Sequence, residues 1–475
     1  MKKTKTTIAQ KHKKQLTRRK YYKKYLALLV VLGVIVFFVY RGAVLLNSTH
    51  FSPLNKIKQA QADAIDIRDY FCDSPQDDAS TGPHTTFIAP SKETSEKYRK
   101  NLISGNQVVN SELTQEPGII NATGFEKTQD QYPGSSLVRI IDSNGRPFMR
   151  SEVKQHDAQT PSIAWLMQAV TIKNAAYYYS LEYKSTDKTL LEVVATDKQG
   201  KDRYFGVGQA EATNNWTRIE GHFPNYDGTY SSIKIVARPL ETGITDIRSL
   251  HIAELRDTRP QTAIISVTFD DGWSSIYKNG LPLFKKYNLP TTQFVISGQS
   301  IKRVNNYMTF EQLSKMQNAG HEISSHSLKH CNLSTLSADD LSYDLSTSKS
   351  LLQDKKLNTE GIAYPYGSYS PQVGSKAQTL YSYARTTDEG YNDSYVDRYL
   401  IKTQNVDSDT TIQEVNSWIE YAKQNRLWLI FVYHQVGESG QYNVTVDQLE
   451  NDLRVIKESG LPVKTVRDSL VFLDN

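Results

Sequence analysis

Cysteine is nearly absent from this chain: Cys72 and Cys331 are the only two among 475 residues. That excludes a disulfide framework, and Cys331 reads as a small buried residue, with a Cys72 to Cys331 bridge left open. Acidic residues are missing altogether from the first 24 positions, which hold nine Lys and two Arg. The formal net charge of +5 therefore comes from the tail, and everything after residue 24 sums to about −6. A mildly acidic body argues against nucleic acid as the partner. Long apolar runs are also missing, with one exception. Tyr25 to Leu46 carries no charge except Arg41, and its length, about 33 Å as a helix, matches a bilayer core of about 30 Å. The basic flank on its N-terminal side predicts a single-pass anchor at the cell membrane, with the N-terminus cytoplasmic and the rest extracellular. A cleaved signal peptide would need a small-residue site after the run, and no clear one follows.

Residues 1–24 are thus a basic cytoplasmic tail and 25–46 a transmembrane anchor, followed by a polar stretch, 47–100, that reads as a stalk. From 101 to 257 the chain shows short runs of period two, among them Tyr177 to Lys184, Leu190 to Ala195, Trp216 to Phe223 and Ile233 to Ala237. Turn signals at Asp197 to Gly200 and Asp227-Gly228 separate them. Strands without intervening helices predict a β-sandwich of jelly-roll type. Tyr177, Tyr179, Leu181 and Tyr183 fall on one face and should point inward. Trp165, Tyr178, Tyr204 and Trp216 are candidates for stacking on sugar rings.

Residues 261–475 change to alternating strands and helices. Apolar strands at Ile264 to Phe269, Thr292 to Ile296, Ile323 to Ser325, Gly361 to Tyr364, Tyr381 to Arg385 and Leu427 to Tyr433 are spaced by helical patterns near Ser274 to Tyr287 and Ile412 to Ala422, and by helices capped at Thr309, Ser337 and Thr445. Repeated βα units predict a parallel sheet closed as a (β/α) barrel, with its active site at the C-terminal ends of the strands. The fold class is therefore α/β, a distorted barrel preceded by a sandwich and a single transmembrane helix.

The reactive side chains obey that rule. Asp270 and Asp271 follow the first strand, and adjacent carboxylates can serve one site only if the backbone turns there, which Gly272 permits. A cation beside them would relieve their repulsion. His326 and His330, in H-S-L-K-H, follow the third strand and, four apart on a helical turn, would face the same way, as a metal requires. Tyr366, in Y-P-Y-G, follows the fourth strand, and His434 follows the last.

T-F-D-D-G, H-S-L-K-H, Y-P-Y-G and the strand ending in V-Y-H-Q-V, in this order over about Ala263 to Leu473, resemble the polysaccharide deacetylases of carbohydrate esterase family 4. The resemblance implies a distorted barrel that removes acetyl groups from carbohydrate polymers. It implies that Asp271, His326 and His330 bind one divalent metal, zinc first, with cobalt, nickel or manganese as alternates. Asp270 would be the general base, His434 the general acid, and the Tyr366 backbone N–H an oxyanion donor. Two features depart from the family pattern: Ala363 stands where an arginine usually braces the catalytic aspartate, and no D-x-x-D-W motif supplies an acidic partner for His434, Asp407 being the nearest candidate. The segment 101–257 is similar, more loosely, to jelly-roll carbohydrate-binding modules, through N-L-I at Asn101 to Ile103, Tyr177 to Lys184, Trp216-Thr217-Arg218 and Ser249 to Leu255.

The function expected is removal of N-acetyl groups from a cell-surface N-acetylglucosamine polymer, an exopolysaccharide or peptidoglycan, with release of acetate. The A-Y-P-Y-G form resembles the exopolysaccharide branch of the family more than the peptidoglycan branch. Two other readings compete. One is a wall-carbohydrate binding protein with a degenerate barrel, to which the missing arginine lends weight; the other is an esterase for O-acetyl groups.

Overall fold

A computed structural model describes residues 87–108, 113, 125–127, 136–154, 165–240, 242–302, 306–438 and 440–474. The basic tail, the span 25–46 and most of the expected stalk lie outside the described residues. Among the described residues no helix is long and apolar enough to cross a membrane.

The C-terminal half closes into a barrel of seven parallel strands. They are β1 (Ile264–Phe269), β2 (Thr292–Val295), β3 (Glu322–Ser325), β4 (Gly361–Ala363), β5 (Tyr383–Glu389), β6 (Ile401–Asn405) and β7 (Trp428–Tyr433). Every residue of β1 and of β7 is buried, as expected where strands are covered on both faces. One face of β1 packs Ile265, Val267 and Phe269 with Leu429, Phe431 and Tyr433 of β7, while Ile264 joins Trp428 and Ile430 in a second cluster. Among the described residues one α-helix, α1 (Lys92–Lys100), precedes the barrel and eight accompany it: α2 (Leu281–Tyr287), α3 (Ser297–Lys302), α4 (Phe310–Asn318), α5 (Ala338–Asp354), α6 (Pro371–Leu380), α7 (Ile412–Asn425), α8 (Val446–Glu458) and α9 (Val466–Asp474). Thr309, Ser337 and Thr445 cap α4, α5 and α8 as their sequences predict, and Thr309 with Gln312 completes a capping box.

Three details depart from the sequence reading. The expected helix from Ser274 opens as a π-helical turn, Ile276–Gly280, before α2 begins. Strand β6 is not evident from K-T-Q-N, because two of its buried residues, Thr403 and Gln404, are polar. Helix α6 hides behind Pro371 and Gly374, although Ser370 as N-cap with Pro371 at the first turn is a start signal.

In the N-terminal half, two antiparallel sheets share one core. The first orders Val170–Thr171, Tyr230–Pro239, Thr189–Asp197 and Asp202–Ala210; the second orders Ser136–Ile141, Pro147–Val153, Gly243–Glu254, Ala176–Ser185 and Thr213–Pro224. Tyr177, Tyr179, Leu181 and Tyr183 do point inward, against Leu191, Val193, Ile219 and Ile235. The opposite face of the same strand is buried as well: Ala176 and Tyr178 meet Tyr98, Leu255 and Tyr395 of the neighbouring elements. Tyr178 is therefore no sugar platform. Trp216 lies beneath the Arg248 guanidinium, 3.9 Å from its ring, whereas Tyr204 is exposed.

The end of the expected stalk is ordered structure. Lys92–Lys100 form helix α1, started by the Ser91 side chain accepting from the Thr94 N–H. This helix packs at the seam between sandwich and barrel. The Asp397 carboxylate accepts from the Ser91 N–H at 2.6 Å, and Tyr98 stacks near Tyr178 and Tyr395. Across the same seam His222 bridges the Tyr98 hydroxyl at 3.1 Å and Asp393 at 3.2 Å, and the Tyr226 hydroxyl donates to Asp393 at 2.9 Å. Burial alone would raise the Asp393 pKa; His222, the Tyr226 hydroxyl and the Tyr395 N–H outweigh it and hold the carboxyl low. Buried, fully partnered polar groups of this kind fix a docking geometry.

Cys331 is buried, as expected, and it is disulfide-bonded, the alternative that the sequence left open. The chain's other cysteine, Cys72, lies outside the described residues.

Candidate active site

All six candidate residues stand at the C-terminal end of the barrel, each just past the end of its strand. The turn after β1 does what adjacent carboxylates need. Asp271 and Gly272 both take left-handed backbone, at φ 68° and 80°, so the chain reverses and the two carboxylates share one site. Gly272 is required twice over, because a Cβ there would also meet Val295 Cγ1 at 2.9 Å.

Asp271, His326 and His330 bring one ligand atom each within 4.8 Å of one another. The Nε2 atoms of His326 and His330 are 3.2 Å apart, and Asp271 Oδ1 lies 3.5 and 3.3 Å from them. Oδ1 is buried with no hydrogen-bond partner among the described residues. An orphaned carboxylate oxygen facing two imidazole nitrogens is a poor arrangement for a protein alone and a good one for a divalent cation, since N, N and O donors leave further positions open. Burial pushes both imidazoles toward the neutral form, His330 down to about 4, which is the ligating state. For Asp271, burial acts upward, but His330, His434, His326 and the Trp273 N–H together hold it below the usual carboxylate value.

Each ring is also oriented from behind. His326 Nδ1–H donates to the Ala363 carbonyl at 2.9 Å, which leaves Nε2 bare. His330 Nδ1 pairs with the Tyr366 hydroxyl at 3.0 Å. The Tyr366 side chain thus has a structural role that the motif alone does not suggest, and its backbone sits in the left-handed region at φ 58°. H-S-L-K-H is not a helical turn. It is a loop with Ser327 and His330 at φ 67° and 61°, held by the Asp344 carboxylate of α5, which accepts from the N–H groups of Leu328 and Lys329 at 2.9 and 3.1 Å. Burial raises the Asp344 pKa to about 6.

Asp270 is buried, and both its oxygens accept from Arg385 Nη2. Arg385 rises from β5, is itself fully buried, and lies over the Phe294 ring at 5.0 Å. Ala363 does occupy the position where the arginine was expected, yet a guanidinium reaches the aspartate from another strand. No motif in A-R-T-T announces it. An arginine inside an apolar strand that must find a buried anion was the available signal.

His434 ends β7 with its ring 5.7 Å from that of Tyr442. Its Nδ1 is buried without a hydrogen-bond partner among the described residues. Asp407 makes no hydrogen bond to that nitrogen; its Oδ1 accepts from the N–H groups of Asp409 and Thr410 and from the Thr410 hydroxyl.

Residues 257–383 match the family described as polysaccharide deacetylase. The chain carries a polysaccharide deacetylase domain. Among curated relatives, a Bacillus subtilis (strain 168) protein, YxkH, named as a polysaccharide deacetylase, is 32% identical over 28% of this chain and 48% of its own. The poly-β-1,6-N-acetyl-D-glucosamine N-deacetylase of Staphylococcus aureus (strain MRSA252) is 31% identical over 28% of this chain and 53% of its own. The chain thus spans about half the length of the curated relatives it matches. A solved Streptococcus pyogenes deacetylase, PplD in complex with acetate, is 29% identical over 29% of this chain and 63% of that one, at a TM-score of 0.28. The family match ends at Tyr383, so Arg385 and His434 lie beyond it.

Proposed function

We propose that the barrel is a metal-dependent N-deacetylase acting on a polymer of N-acetylglucosamine outside the cell. The observation that carries this reading is the convergence of Asp271, His326 and His330 on one spot, with their ring nitrogens oriented, Asp271 Oδ1 unsatisfied, and Asp270 and His434 at the same barrel mouth. A divalent cation held by these three residues, zinc suiting the donor set best, would polarise the acetyl carbonyl and acidify a water. Asp270 receives the proton of the attacking water. Arg385 pairs with that buried carboxylate and fixes its orientation. His434 delivers a proton to the departing nitrogen as the C–N bond breaks, a task suited to an imidazole near neutral pH. The Tyr366 backbone N–H is proposed as a donor to the developing oxyanion. The products are acetate and a free amine.

The degenerate-barrel reading leaned on a missing guanidinium, and Arg385 provides one. The S. aureus relative's name favours a β-1,6-linked substrate. Residues 25–46 are proposed to anchor the enzyme at the membrane, and the sandwich to bind carbohydrate through exposed aromatics such as Tyr204. The test is acetate release by the full chain from β-1,6-linked and chitin-type oligomers, with zinc or cobalt and with chelator, beside Asp271→Ala. Metal-dependent release with new amines, lost in Asp271→Ala, is the expected result. Acetate without amines would mean ester cleavage, and none from any polymer by zinc-loaded protein would favour a binding protein.

A further inference from the structure

We infer that Trp273 is a positioning residue for the metal centre, holding the Asp271 carboxylate so that it offers one oxygen only. The inference rests on reading Asp271, His326 and His330 as the metal ligands. Trp273 Nε1–H donates to Asp271 Oδ2 at 2.8 Å, while Oδ1, the atom left without a partner, faces the two imidazole nitrogens. The two carboxylate oxygens therefore have different tasks. A carboxylate is free to chelate a divalent ion through both oxygens, and a second bond would fill a position that substrate or water needs. The indole N–H competes for that second oxygen, and it also fixes the carboxylate plane, as outer hydrogen bonds to metal ligands do.

The indole is itself held. Its ring stacks on Tyr307 with centroids 4.3 Å apart and planes at 22°. The backbone beneath the stack is tied by Ser274 N–H donating to the Asn306 carbonyl at 2.7 Å and Met308 N–H donating to the Gly272 carbonyl at 2.8 Å. Positions 306–308 thus strap the D-D-G-W turn across its outer side. Trp273 cannot swing away from Asp271 without leaving Tyr307. A tryptophan directly after D-D-G reads, from sequence, as one more apolar residue before a helix; only the direction of its N–H shows the second role.

The experiment measures zinc dissociation constants of the full chain by competition with a chromogenic chelator, and the visible spectrum of the cobalt-substituted protein. Wild type is compared with Trp273→Phe, which keeps a ring for Tyr307 but deletes the donor, and with Trp273→3-benzothienylalanine, which keeps the indole shape with sulfur in place of N–H. Both variants are expected to bind zinc about 10- to 100-fold more weakly, and the cobalt bands to change in intensity as the coordination number changes. Unchanged affinity and spectrum in a folded variant would overturn the inference. If wild type itself binds no stoichiometric zinc, the metal reading fails instead. Should Trp273→Phe fail to fold, the benzothienyl variant decides, since its shape is native.

Discussion

On the His326 and His330 side of the barrel mouth, each candidate ligand is tied from behind: one ring to the Ala363 carbonyl, the other to the Tyr366 hydroxyl, Asp271 to the Trp273 indole, and the loop between the rings to Asp344. On the opposite side His434 has a buried Nδ1 with no partner among the described residues, and its ring neighbour Tyr442 is half exposed. The two sides ask different things of an imidazole. Metal ligands must present a lone pair in a fixed direction, and a loss of orientation is a loss of affinity. A proton donor must gain and lose a proton in each cycle, and a permanent carboxylate partner would bias that balance. On the proposed reading, the asymmetry sets a metal-binding half held by hydrogen bonds apart from a proton-transfer half with fewer of them.

That comparison breaks most completely if a ligand is removed. Asp271→Ala or His326→Ala should abolish stoichiometric zinc binding and lower kcat/KM on the order of 10³-fold or more, since a bound cation contributes several kcal/mol to the transition state. Titration with zinc alongside initial rates checks both. Next in size is the clamp on the base. Arg385→Met strands a buried carboxylate, and urea denaturation should show a loss of about 3–5 kcal/mol. Arg385→Met combined with Asp270→Asn should recover most of that stability and none of the activity, because the double change removes the unpaired charge and the base together.

Asp344→Asn sharpens the contrast at moderate cost. An amide can keep one of the two backbone N–H contacts but not both as strong charge-assisted bonds, so zinc affinity should fall roughly 10-fold. In the zinc-saturated variant kcat should stay near the wild-type value, which initial rates along the zinc titration check. The smallest effect is expected below the acid side. Tyr433, next to His434, donates to the Asp452 carboxylate of α8 at 3.1 Å, and burial raises that carboxyl to about 7. A carboxyl raised on folding keeps the native state fully supported below its unfolded value near 4 and withdraws that support as pH climbs through about 7. Asp452→Asn should therefore flatten the decline of Tm between pH 4 and 7 and raise Tm at pH 8, by about 2–4 °C per kcal/mol relieved. Calorimetric scans across that range measure it.

The position of the barrel's candidate residues was legible because strand-end placement is a sequence property: D-D-G after β1, the histidine pair after β3, Y-P-Y-G after β4 and His434 after β7 all sit at the C-terminal ends of the strands. What holds those residues was not. Arg385, Asp344 and the Trp273 N–H act across 115, 16 and 2 residues respectively, and only the last pair is close enough in sequence to have been considered together. The H-S-L-K-H spacing read as helical because i and i+4 suit a helix, yet two left-handed residues bring the rings together by another route. In the sandwich, strands with one polar face were visible, while Asp202–Ala210, an edge strand exposed along much of its length, left no apolar alternation to find. Helix α1 falls inside the expected stalk because K-E-T-S-E-K-Y-R-K is polar, and Tyr98 is the one large apolar side chain among its buried residues Thr94, Ser95 and Tyr98.

The central claim is that the Asp271, His326 and His330 cluster holds a catalytic cation. The most direct measurement is metal content and acetate release on one preparation of the full chain, stripped with chelator and then titrated with zinc against a β-1,6-linked N-acetylglucosamine oligomer. Activity rising in proportion to one zinc per chain, with equal amounts of acetate and new amine, is the result predicted. Release that persists in the stripped protein, or one zinc bound in a chain that deacetylates no N-acetylated polymer, would contradict it.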